Sequence, residues 1–121
     1  MRLAVVRKRS DFLAANRGLR VARAGFVLLV NHAGAGEREA RYGVTVTKKI
    51  GGAVVRNRMK RRFRALLREL LPTCGIAGAD HVLIGREGGI ERDFAALRDE
   101  LAAALSRAAA GKGDPPRRRR R

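Results

Sequence analysis

Apolar residues recur through the middle of the chain at Val55, Met59, Phe63, Leu66, Leu67 and Leu70. Placing each residue about 100° further round a helix gathers them into an arc of roughly 120°. The spacing predicts one long amphipathic helix, opened by Gly51-Gly52 and stopped by Pro72. A second stripe, Ile90, Phe94, Leu97, Leu101 and Leu105, keeps the three-and-four spacing of a helix lying on a sheet. Near the start, Ser10 is placed to cap a short helix through about Asn16, with Phe12, Leu13 and Ala15 available for packing.

Other stretches carry strand patterns. Gly25 to Asn31 is nearly continuous in apolar residues, as expected of a strand covered on both faces or of one lining a groove. Arg41 to Thr47 alternates instead. Tyr42, Val44 and Val46 take one face, while Arg41, Gly43, Thr45 and Thr47 take the other, a small face suited to the floor of a groove. His81 to Gly85 reads as a further strand. The glycine-rich segment His32 to Arg38 reads as a hairpin connection; it lacks the Gly-Lys-Ser/Thr ending of a nucleotide-binding loop. The order helix, strand, strand, helix, strand, helix predicts an α/β (α+β) sandwich of helices on a mixed sheet. One domain over residues 1–110 accommodates all of it, and residues 111–121, ending in five arginines, are expected to form a disordered tail.

Charge then changes the picture of the long helix. Its polar surface carries Arg56, Arg58, Lys60, Arg61, Arg62, Arg64 and Arg68 with no acidic residue before Glu69. An ordinary solvated helix intersperses signs and gains from pairs four residues apart, whereas like charges this dense repel one another. A polyanionic partner relieves that repulsion. Lys48 and Lys49 flank the glycine opening, where unbonded N–H groups and the positive end of the helix dipole favour an anion. The whole chain has the same bias: 28 Lys plus Arg against 11 Asp plus Glu leave +17 on 121 residues. Removing residues 111–121 removes six positive charges and one negative, and still leaves +12. Nucleic acid is the partner this implies.

Other classes fit poorly. The basic helix spends its apolar stripe on a core, and no stretch elsewhere has the aromatic anchors of a membrane-surface helix. No run of apolar residues is long enough for a membrane span, and the four-residue run near Met1 is too short for a signal peptide, so a cytoplasmic location is expected. The lone Cys74 makes no internal disulfide. Scattered acidic residues and the isolated His32 and His81 form no pattern for a nuclease working on its own side chains.

The run Tyr42-Gly-Val-Thr-Val-Thr-Lys-Lys-Ile-Gly-Gly-Ala-Val-Val-Arg-Asn-Arg-Met-Lys-Arg-Arg-Phe-Arg64 resembles the protein subunit of bacterial ribonuclease P, whose hallmark is Arg-Asn-Arg followed by Lys-Arg and a further Arg. Weaker likeness extends to Ser10-Asp-Phe12, Phe26-Val-Leu28 and Val82-Leu-Ile84. The resemblance implies an αβββαβα two-layer sandwich with a left-handed strand-helix-strand crossover. It implies a subunit that binds a catalytic RNA and the 5′ leader of precursor tRNA, while the RNA carries out magnesium-assisted hydrolysis at reduced magnesium demand. Carried over by position, Lys48, Lys49, Arg56, Asn57, Arg58, Lys60, Arg61, Arg64 and Arg68 are the expected RNA contacts. Phe12 falls at an aromatic of the leader cleft, with Val27 and Leu29 as its floor; Asn16 and Leu29 stand where the family often has aromatics. Magnesium is expected to be bound mainly by RNA, with Asn57 at most an indirect contact. A noncatalytic RNA-binding or ribosome-associated basic protein would carry similar charge, but phosphate binding alone does not call for this ordered block.

Overall fold

Five strands form one mixed sheet in the order β1-β4-β5-β3-β2 in the computed structural model, which describes residues 2–32 and 39–114. The strands are β1 (Arg2–Val5), β2 (Leu19–Ala22), β3 (Phe26–Asn31), β4 (Glu39–Thr45) and β5 (Asp80–Gly85). β4 pairs in parallel with both β1 and β5, whereas β3 runs antiparallel to β5 and to β2. Three helices complete the fold: α1 (Arg9–Ala15), α2 (Ala53–Cys74) and α3 (Phe94–Ala109). After β1 the order is therefore the anticipated αβββαβα.

The alternation read in β4 is realised. Tyr42, Val44 and Val46 pack into the main core beneath α2 and α3, joined by Phe26, Leu28 and Val30 of β3 and by Leu83 of β5. From α2 this core receives Met59, Phe63, Leu66, Leu67 and Leu71, and from α3 Leu97, Leu101 and Leu105. Phe63 meets Phe26 edge to face with ring centroids 6.3 Å apart, a favoured aromatic geometry. Close approach of α2 needs Gly85, because a Cβ there would lie 2.5 Å from Met59 Sδ. Among the described residues the opposite face of the sheet is covered in part by α1, over a smaller cluster of Ala15, Val27, Leu29 and Val82.

Several sequence expectations need correction. Pro72 does not stop α2 but lies inside its last turn. Its missing N–H forfeits the bond to the Arg68 carbonyl, while buried Leu71 holds the turn against the core and Gly75 N–H donates to the Leu71 carbonyl at 2.9 Å. Ser10 is not a cap: α1 begins at Arg9 behind Lys8, without a side-chain cap. α3 begins only at Phe94, where Asp93 Oδ2 accepts from the Ala96 N–H at 3.1 Å, so Ile90 joins the core from the preceding turn. The segment after β3 is no hairpin connection, since β5 lies between β3 and β4; its residues 33–38 lie outside the described residues. The folded unit also runs past residue 110. Residues 112–114 return to β2, where Asp114 N–H donates to the Arg20 carbonyl at 2.6 Å; the remainder of the expected tail lies outside the described residues.

Candidate nucleic-acid interface

α2 presents its cations in one direction because its other face is committed to the core. Met59, Phe63, Leu66 and Leu67 are buried, which turns Asn57, Arg58, Arg61, Arg64 and Arg68 outward and leaves Arg56 and Lys60 half-exposed. Lys48 and Lys49 stand exposed on the single 3₁₀ turn Lys48–Ile50 that leads into the helix. Gly52 caps α2 without a side-chain bond, so the first N–H groups of the helix face outward beside the two lysines. Arg56 folds back, its Nε donating to the Gly51 carbonyl at 3.2 Å, which fixes the glycine turn relative to the helix.

None of Lys48, Lys49, Arg56, Arg58, Lys60, Arg61, Arg64 and Arg68 has an ion-pair partner among the described residues. Other arginines do. Arg41, Arg92 and Arg98 are paired with Asp80, Glu100 and Glu69. Arg62, in the middle of the basic run, differs from its neighbours: it donates to the Arg92 carbonyl and, at 3.5 Å, to the Gly89 carbonyl, and its guanidinium lies 5.7 Å from the Phe94 ring centroid. Arg62 therefore fastens α2 to the turn before α3. Charge density alone does not distinguish it from Arg61.

The α1 face of the sheet carries a second surface. Phe12 is half-buried against Gly43, where a Cβ would lie 2.6 Å from the ring, so this position admits the aromatic only because it lacks a side chain. Val27 and Leu29 are on this face but are 5% and 2% exposed, packed with Ala15 and Val82 under α1. The accessible surface around them comes from Phe12, Ala22 and Ile84, of which only Phe12 stands out in the sequence. Strand register aligns Thr45, Ile84, Val27 and Ala22 in one row across β4, β5, β3 and β2. At about 4.8 Å per strand the row spans roughly 15 Å. Lys48 follows the β4 end of the row, Thr45, by three residues.

α1 is held over this face by charge. Arg41 donates from Nε and Nη2 to both carboxylate oxygens of the fully buried Asp80, each at 2.6 Å, and lies 3.3 Å from Asp11 of α1. The bidentate bonds to Asp80 push the Arg41 guanidinium further toward its charged form, with the Asp11 charge adding to the effect. His81, also fully buried, has both ring nitrogens engaged: Nε2 accepts from the Ile76 N–H at 3.0 Å and Nδ1 lies 3.1 Å from the Arg41 carbonyl. Burial lowers its pKa and favours neutral imidazole, with Nδ1–H donating to that carbonyl. His81 is thus a satisfied core residue. The Asp11, Arg41 and Asp80 group is not visible in sequence, because only the register brings Arg41 and Asp80, 39 positions apart, together.

No group of three or more His, Cys, Asp or Glu side chains among the described residues is arranged to hold a metal ion. Asn57, exposed between Arg56 and Arg58, brings one amide oxygen into a cationic field and does not by itself fit a hard divalent cation. No helix of the described residues is long and apolar enough to cross a membrane.

The family model for Ribonuclease P matches residues 1–109. The ribonuclease P protein component of Erythrobacter litoralis is 74% identical over 118 residues, covering 98% of this chain and 96% of that protein. That of Ruegeria pomeroyi is 45% identical, covering 91% and 90%. Among solved structures, the RNase P protein from Thermotoga maritima is 30% identical and superposes with a TM-score of 0.74, covering 86% of this chain and 96% of that one. The Staphylococcus aureus RNase P protein gives 27% identity and a TM-score of 0.69, covering 86% and 94%.

Proposed function

The chain belongs to the ribonuclease P protein family, and from that premise we propose that the outward cations of α2, with Lys48 and Lys49, hold the catalytic RNA while the α1 face receives the 5′ leader of precursor tRNA. As a family member it is the protein component of an endoribonuclease holoenzyme that matures tRNA 5′ ends, and its partner is an RNA. A generic basic RNA binder does not account for full-length similarity to that one family.

A single observation carries the assignment of α2: all its cations but Arg62 are displayed with no ion-pair partner among the described residues over more than three turns, while nearby arginines are paired. Phosphates supply the missing anions, and Arg56, Arg58, Lys60, Arg61, Arg64 and Arg68 follow an RNA backbone along the helix. Asn57 adds a neutral donor and acceptor to a phosphate or base edge. The helix opening, with Lys48 and Lys49, takes a further phosphate. On the other surface the flat ring of Phe12 stacks on an unpaired base without selecting its identity, and Ala22 and Ile84 give the leader an apolar floor that buried Val27 supports. Leu29, buried under α1, supports that floor from below.

Magnesium in this reading is held by RNA phosphates, and no side chain of the described residues takes a catalytic part in hydrolysis. The chain's contribution is charge: cations between catalytic RNA and substrate replace part of the divalent screening that two polyanions need when they meet. Assembly with the RNA takes place in the cytoplasm. Titration of the catalytic RNA with Arg56→Ala and Arg61→Ala chains tests the α2 assignment; weaker binding with unchanged melting is expected. Unchanged RNA affinity in both variants would remove α2 from the interface.

A further inference from the structure

Val54 is an apolar side chain set among cations, between Lys49 and Arg56 in sequence, and it is 82% exposed. It stands at the second position of α2, on a cleft of about 110 Å³ between the first turns of that helix and the turn before α3. Buried Met59 and half-buried Ile90 continue the apolar wall. Arg62, bonded to the Arg92 and Gly89 carbonyls, ties the two sides together and fixes the walls relative to each other.

Two opposite charges line this cleft without meeting. Arg58 and Glu91 are both exposed, and neither has an ion-pair partner among the described residues. The residues that follow Glu91 are committed elsewhere: Arg92 pairs with Glu100, and Asp93 caps α3. A phosphate suits Arg58 but is repelled by Glu91, whereas a cation is repelled by Arg58 and Arg62. A purely apolar group matches the wall and leaves both charges unpaired. The occupant that fits has flat apolar faces, an acceptor edge and a donor edge. An unpaired guanine has all three. Its O6 and N7 accept from an arginine fork, its N1–H and N2 amino group donate to a carboxylate, and its ring lies against apolar side chains.

We propose that this cleft takes an unpaired guanine of the catalytic RNA, with Glu91 as the residue that selects it. The proposal rests on the reading of α2 as the catalytic-RNA surface and adds base recognition to it. Phosphate contacts along α2 set the register of the RNA, and the cleft reads one base. Glu91→Ala separates this from phosphate binding by the sign of its effect. The substitution raises the net charge of +17 by one unit, so a surface that binds phosphates alone predicts equal or tighter RNA binding. Guanine capture predicts binding about tenfold weaker, for the loss of a charge-assisted hydrogen-bonded edge. The salt slope should stay at the wild-type value, because no phosphate contact is lost.

The experiment measures affinity for the cognate catalytic RNA across a salt series, with a thermal melt of each chain. The proteins are wild type, Glu91→Ala, Val54→Ser, Arg56→Ala and Arg61→Ala. Val54→Ser should weaken binding severalfold at wild-type slope and melting temperature. In parallel, catalytic RNA in which inosine randomly replaces a few guanosines is partitioned into bound and free fractions, since inosine lacks only the N2 amino group. Wild type should exclude inosine at one unpaired position, and Glu91→Ala should accept it there. Binding by Glu91→Ala as tight as wild type, or the same inosine pattern for both chains, overturns the proposal. Arg56→Ala and Arg61→Ala report on the surface itself. If they weaken binding while Glu91→Ala does not, only the guanine site fails; if none of the three weakens it, the α2 reading fails and takes the site with it.

Discussion

Arg61 and Arg62 are adjacent in sequence and equal in charge, yet Arg61 is exposed whereas Arg62 is bonded to the turn before α3. Arg61 and Arg64 are exposed and have no ion-pair partner among the described residues. Replacing both by Ala should change stability by no more than about 0.5 kcal/mol. If each meets one phosphate, the slope of log K against log salt drops by about 1.4 on single strands and about 1.8 on duplex. At ~0.15 M salt that difference amounts to roughly 15- to 30-fold in affinity for the catalytic RNA, converging with wild type near 1 M. Arg62→Ala instead loses the bonds to the Arg92 and Gly89 carbonyls and the stack on Phe94. The cost should be about 2 kcal/mol, or roughly 8 °C in Tm, with a salt slope close to wild type. Filter binding across a salt series, paired with thermal melts, reads both quantities. A Tm loss in the double variant, or a slope loss in Arg62→Ala as large as in the double variant, would refute the division of labour.

Gly43→Ala places a methyl group where the Phe12 ring sits. It should cost about 1–3 kcal/mol and weaken binding of leader-bearing precursor more than binding of the catalytic RNA, as competition titrations will show. Asp80→Ala leaves Arg41 with Asp11 alone and should destabilise the fold by about 3–5 kcal/mol in urea denaturation. Burial lowers the pKa of His81, so its neutral form stabilises the native state. The unfolded chain binds that proton first, near pH 6.5, so stability is full above that value and falls as pH drops from there toward the folded-state pKa, by at most about 1.4 kcal/mol per pH unit. Urea midpoints between pH 7.5 and pH 5.5 should show the decline, and His81→Asn should flatten it.

Periodicity makes the core side of this protein legible. The α2 stripe and the alternation in β4 arise from local spacing, and both recur as burial in the structure. β1 and β2 escape the sequence pattern because four-residue strands at sheet edges carry too little of it. Pro72 and Ser10 mislead because local propensity yields to burial of Leu71 in one case, and to an earlier helix start at Arg9 in the other. Charge marks α2 as a whole but does not distinguish Arg62, whose partners lie 27 and 30 residues away. The same holds for the Arg41 and Asp80 pair and for the return of Asp114 to β2: long-range register creates them, and no local signal precedes them.

The central claim is that this chain supplies charge and leader binding to an RNA catalyst. Cleavage of precursor tRNA at low magnesium, with the protein alone, the cognate ribonuclease P RNA alone, and the two together, tests it most directly. Cleavage at the mature 5′ end is expected only in the mixture, with RNA alone requiring high magnesium. Binding of the RNA without any change in its magnesium requirement would contradict it.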